Sequence, residues 1–131
     1  MFISLYVVFV ECEEEAFPVS PLAISQRLTS TWSDGSGTFS VWSAVITNKG
    51  EEIIFDCNIV PDKNSFGLRQ QDDYWGIAKK ADRAFGFPEY IRIYGISQGE
   101  NLKFGYINRG TNPMRWNFMN IQFQSQSQTL N

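Results

Sequence analysis

The chain has 131 residues, 43% of them apolar and 15% aromatic, with a net charge of −3, which fits one domain with one core and excludes a disordered chain. Histidine is absent and there are two cysteines, so the usual general base, an ordinary serine or cysteine triad and a four-thiolate metal site are all excluded. No apolar run reaches the roughly 18 residues of a membrane-spanning helix, and beyond Pro21 the 11 basic residues meet ten of the 14 acidic ones, leaving no broad field for nucleic acid or anionic lipid.

Residues 1–20 begin with an apolar stretch, Phe2 to Val10, followed by Glu11, Glu13, Glu14 and Glu15. The stretch has signal-peptide length but no basic start and no clean small-residue cleavage site, so it reads as a leader, incomplete as a signal peptide, rather than as a first strand. From 21 to 124 the periodicity is that of strands. Leu22 to Trp32 alternates polar with apolar, and "SDGSG" makes a turn into Phe39 to Asn48. After the turn "NKGEE", alternation predicts that Ile53, Phe55, Cys57 and Ile59 share one face of a strand that Pro61 ends. Cys57 is expected to be a buried free thiol. "DKNSFGLRQQDD" reads as a polar loop.

Further strands are predicted at Tyr74 to Ala78, Ala84 to Phe87, Tyr90 to Ile96, Asn101 to Ile107 and Arg115 to Phe123. A helical turn is considered only near Lys79 to Arg83. Residues 125–131 read as a disordered polar tail. About eight short strands at regular spacing predict an all-β fold, an antiparallel two-sheet β-sandwich of immunoglobulin-like or jelly-roll-like kind. Trp42, Phe104 and Tyr106 are assigned to its core, with the Tyr106 hydroxyl in need of a partner; Trp116 is assigned to the core or the sheet surface.

Five stretches in order, "ISQRLTSTWSDG", "FSVWSAVITNKG", "YWGIAKK", "FGFPEYI" and "GENLKFGYI", give a pattern that resembles the family 49 carbohydrate-binding modules found at the C-terminus of plant family 9 endoglucanases. The likeness runs from Ala23 to Phe123. It implies a β-sandwich that binds cellulose or a related β-1,4-glucan and does no catalysis of its own. Departures are Tyr90, where the family usually has Trp, a longer "IRIYGISQ" link, and an unusual 60–73 loop.

The pyranose rings of a β-glucan present C–H groups on their faces, and aromatic faces attract them. Trp32 ends a strand beside a Gly-rich turn, Trp75 precedes Gly76, which is expected to clear space beside the ring, and Tyr90 follows Pro88, which fixes the backbone. From the residues alone these rings either stack on sugar or cap the rim of the core. The resemblance favours stacking for Trp32 and Trp75 and leaves Tyr90 open. Gln26, Asp34, Asp73, Lys79 and Glu89 are candidate hydroxyl partners by position only.

Hydrolysis of a glycosidic bond needs two carboxylates flanking it, whereas the adjacent Asp72 and Asp73 would point to opposite faces of an extended segment. The expectation is therefore a secreted, extracellular or cell-wall binding module, monomeric on polysaccharide, with no metal, cofactor, nucleic acid or membrane. Two alternatives are the detached binding tail of a longer endoglucanase and a protein-interaction sandwich that has lost its sugar platform.

Overall fold

The computed structural model describes residues 20–124; the expected leader, apart from Ser20, and the expected tail lie outside them. Strand alternation in the sequence becomes eight strands and one short helix: β1 Leu22–Asp34, β2 Gly37–Asn48, β3 Asp56–Pro61, β4 Tyr74–Trp75, β5 Ala78–Ala81, β6 Ala84–Gly86, α1 Glu89–Tyr94, β7 Asn101–Arg109 and β8 Trp116–Gln122. They form two four-stranded antiparallel sheets, ordered β1-β2-β7-β4 and β5-β6-β3-β8. This is the expected all-β sandwich.

The core lies between the sheets. Trp42, Ala44 and Ile46 of β2 and Leu102, Phe104 and Tyr106 of β7 face Cys57, Ile59 and Phe85 of the other sheet. Trp116 of β8 packs edge-on to Phe104 and Tyr106, at 5.2 and 5.4 Å between ring centroids, and so belongs to the interior side. The buried Tyr106 hydroxyl donates to Gln26 Oε1 and accepts from the Met114 amide, the pairing that a buried phenol requires. Asn48, fully buried, donates to the carbonyls of Glu52 and Ile96 and accepts from the Gly50 amide, which fixes the turn after β2.

Three local expectations are corrected. Ile53, Phe55, Cys57 and Ile59 do not share a face: Ile54 is fully buried and bridged to Ile96, while Ile53 is exposed. The ladder slips between Asp56 and Asn58, and such a bulge reverses the parity on either side of it. Tyr90 lies in a helix, because Glu89 to Tyr94 make one and a half turns between Pro88, with its φ of −65°, and Gly95, whose φ of 74° stops the helix. Lys79 to Arg83 is a hairpin instead of a helical turn: Arg83 takes φ 56° between β5 and β6.

Cys57 is free and buried, as expected. Burial, and then the neighbouring Asp56 carboxylate, push its thiol up to about 12. In a Cys12→Ser background the folded protein is expected to resist a thiol reagent at pH 8 and to react on denaturation. The unfolded thiol ionises near pH 9.0 and the folded one does not until about pH 12. The unfolded state therefore binds fewer protons in that window, and stability from this group falls as pH rises through it; a melting series from pH 8 to 11 with and without Cys57→Ala measures the share.

Candidate functional site

Side-chain alternation gives the β1-β2-β7-β4 sheet an inner face on the core and an outer face on solvent. Inward residues of β2 are the even-numbered ones, Trp42 to Asn48, and their β1 partners are Leu28, Gln26, Ile24 and Leu22. Continued without interruption, that parity would turn Trp32 inward too. Instead the register shifts between Leu28 and Ser30, and Trp32 pairs with Phe39 on the outer face. Thr29, the extra residue, donates its hydroxyl to the Val41 carbonyl. The bulge thus re-aims Trp32 to solvent.

Trp75 reaches the same face from the opposite edge. In β4, Tyr74 pairs with Tyr106 and turns inward, where it meets Phe85 edge-on at 5.0 Å. Trp75 pairs with Gly105 and turns outward, 47% exposed. The indole lies directly on Gly105: a Cβ there would fall 2.4 Å from Trp75 Cζ2. Gly76, at φ 86°, serves another end. Its missing side chain lets the chain press against β7, where a Cβ would meet the Lys103 carbonyl oxygen at 2.5 Å. The glycine that seats the ring is therefore Gly105, which the sequence reading overlooked because it lies thirty residues away.

Four residues along β7 and three strand spacings separate the Trp32 and Trp75 positions, so their Cα atoms stand on the order of 20 Å apart. Several residues that sequence reasoning missed fill the outer face around Trp32. Phe39 is buried although it faces outward, because Trp32 lies over it at 5.4 Å and the Arg109 guanidinium sits 5.8 Å from its ring. Arg69 comes from the loop after β3. Its amide donates to the Ile107 carbonyl, which adds the segment to the edge of β7. Its guanidinium lies 5.4 Å from the Trp32 ring and forks onto Asp73, Nε–Oδ2 2.6 Å and Nη2–Oδ1 3.2 Å. Hydrogen bonding to Asp73 holds the Arg69 guanidinium above its ordinary pKa. The supposed polar loop is therefore an edge segment that carries a cation to an indole, and no periodicity in "DKNSFGLRQQDD" signalled it.

The remaining sequence candidates are spread over the molecule. Gln26 points inward: its amide donates to the Met114 carbonyl, and its oxygen accepts from Tyr106 and from the Trp116 indole. That leaves it tied to the core. Asp34 closes the β1–β2 turn by accepting from the Ser36 amide and hydroxyl, which lowers its pKa. Asp73 sits on the outer face with Arg69. Lys79 lines an open cavity of about 220 Å3 with Phe66, Leu68, Asp82 and Arg83, away from the two indoles. Glu89 and Tyr90 stand on α1. Tyr90 is 63% exposed, but α1 is attached to the other sheet, through the Phe87 amide on Asp56 and the Ile54–Ile96 bridge. The structure thus brings Trp32, Trp75 and Asp73 onto one face and leaves Tyr90 off it.

The antiparallel sandwich thus turns two indoles, a guanidinium–carboxylate pair and small residues outward on one sheet. The chain belongs to the CBM49 family: the profile described as Carbohydrate binding domain CBM49 matches residues 22–111. It is also 29% identical over 91 residues to Endoglucanase 6 of Arabidopsis thaliana, a match covering 70% of this chain and 13% of that protein. The chain thus corresponds to a small part of that relative's length. No solved structure matches it at a significant level.

Proposed function

We propose that this module binds cellulose or a related β-1,4-glucan on the outer face of the β1-β2-β7-β4 sheet and catalyses nothing. The observation that carries the reading is the bulge at Leu28–Ser30, which places Trp32 on the same solvent-facing side as Trp75. A ribbon-like glucan would stack a ring face on the open Trp75 indole; at Trp32, where the Arg69 guanidinium overlies the ring, that guanidinium would swing aside to admit a second sugar and, with Asp73, bond its hydroxyls. By analogy with base stacking, each ring contributes about 1–3 kcal/mol. Two rings, set against the cost of association, correspond to binding in roughly the micromolar to millimolar range. Membership of a carbohydrate-binding family supports the polysaccharide partner, and likeness to a plant endoglucanase supports an extracellular or cell-wall setting.

The test is retention on microcrystalline cellulose. Trp75→Ala should lose roughly tenfold or more in affinity while the protein stays folded with a lower melting temperature, since only about half of the ring is exposed. Equal retention of variant and parent rejects the site. A second reading, a place within a longer endoglucanase, draws on the partial match to Endoglucanase 6; a transcript that joins this domain to a catalytic one would support it.

A further inference from the structure

The outer face carries a charge pattern that the near-neutral composition conceals. Register puts Arg27 in the row of Ser43, Gly105 and Trp75, Lys103 in the row of Ser25 and Val45, and Arg109 in the row of Trp32 and Phe39. All three are exposed. The ion pairs among the described residues are Arg69–Asp73, Lys80–Asp56 and Arg115–Asp62. Arg27, Lys103 and Arg109 have no carboxylate partner in that set.

Acidic groups gather elsewhere. Near Trp32, Asp73 is committed to Arg69 and Asp34 to its turn. Glu51 and Glu52 follow β2, Glu100 precedes β7 and Asp82 and Glu89 belong to the β5–β6 turn and α1, while Asp72, before β4, acts on the Arg69 guanidinium. The Trp75 and Lys103 rows therefore hold two cations without an ion-pair partner, while two residues along the edge from Trp75 the Asp73 carboxylate is already neutralised by Arg69. Lys103 lies two residues from Gly105, about 7 Å along the strand. Since the Trp75 indole reaches over Gly105, Arg27 stands about two strand spacings, roughly 10 Å, on its other side. A sugar resting on that indole has a positive charge toward each flank.

We infer that the Trp75 end of this face selects a β-linked glycan bearing carboxylates, a uronate at C6 of the sugar stacked on Trp75, over the neutral glucan. The inference rests on the stacking role proposed for Trp75 and adds the class of ligand. Lys103 and Arg27 act as the specificity residues, because an extended ammonium and a guanidinium each reach a carboxylate that an uncharged hydroxymethyl group does not offer.

The test compares swollen cellulose with the same cellulose oxidised at C6 to the uronate. At about 20 mM salt the oxidised form should bind about tenfold tighter, as expected of two exposed charge contacts, and the preference should vanish at about 0.5 M salt. Arg27→Gln with Lys103→Gln should bring the ratio of the two affinities to one. Lys49→Gln with Lys63→Gln removes the same charge elsewhere and should keep the preference. A ratio of one in the parent protein overturns the inference. So does equal loss of preference in both double variants, or displacement from oxidised cellulose by a single-stranded oligonucleotide of equal charge, since each marks a general anion effect. A protein that holds neutral cellulose through Trp75 without preferring the oxidised form refutes the ligand class alone; one that binds neither form refutes the stacking face with it.

Discussion

Asp56→Ala is expected to lose about 3–5 kcal/mol of folding stability, chiefly because two buried backbone donors lose their acceptor. Asp56 is 3% exposed. Its Oδ2 lies 3.1 Å from Lys80 Nζ, and its Oδ1 accepts from the Cys57 and Phe87 amides at 2.8 and 3.0 Å. One carboxylate thus ties the start of β3 to β5 and to the end of β6. Alanine strands the Cys57 and Phe87 backbone donors in the interior. In a fold of about a hundred residues the melting point should fall by on the order of 15 °C or more. Asp56→Asn keeps the shape and one acceptor, and Lys80, a third exposed along its side chain, can turn to water; its loss should be smaller. Thermal denaturation of the two variants side by side checks the account, and equal losses would show that the amide acceptor contributes nothing.

Gly105→Ala is expected to weaken glucan binding about as much as Trp75→Ala, roughly tenfold or more, while the sheet stays folded. The new methyl would stand 2.4 to 2.6 Å from three indole atoms, so the ring must leave its seat. Position 105 lies in the middle of β7, where alanine suits the backbone at least as well as glycine does. The indole therefore moves more readily than the strand. Cellulose retention together with tryptophan fluorescence reads the result: a shifted emission with full binding would dissociate the seat of Trp75 from ligand affinity. Since the variant keeps every proposed contact residue, its failure to bind would be a matter of orientation alone.

Much of the fold was legible along the chain. Trp42, Ala44 and Ile46 alternate, as do Leu102, Phe104 and Tyr106, and period-two patterning over a half-buried strand fixes which side faces the core. Turn chemistry was equally plain in "SDGSG" and at Asn48, because Gly and Asn act on their own local backbone. The six-residue helix was missed because a single turn and a half leaves too few residues for 3.6 periodicity to separate from alternation. The slip at Asp56 was missed because a bulge adds one residue without a signature of its own.

The candidate site divides in the same way. Composition and the spacing of aromatic residues determined that this chain builds an all-β sandwich with no histidine chemistry, and marked Trp32 and Trp75 as rings near turns and edges. Tertiary structure alone decided which way those rings point. The Leu28–Ser30 bulge, the open seat on Gly105 and the delivery of Arg69 from a distant loop are each set by pairing between strands far apart in sequence. It also decided that Tyr90 stands with the other sheet and that Gln26 serves the core. The physical reason is one of range: alternation and turn preference are local properties that a linear chain displays, whereas the face a side chain joins depends on cross-strand register, and one inserted residue reverses it.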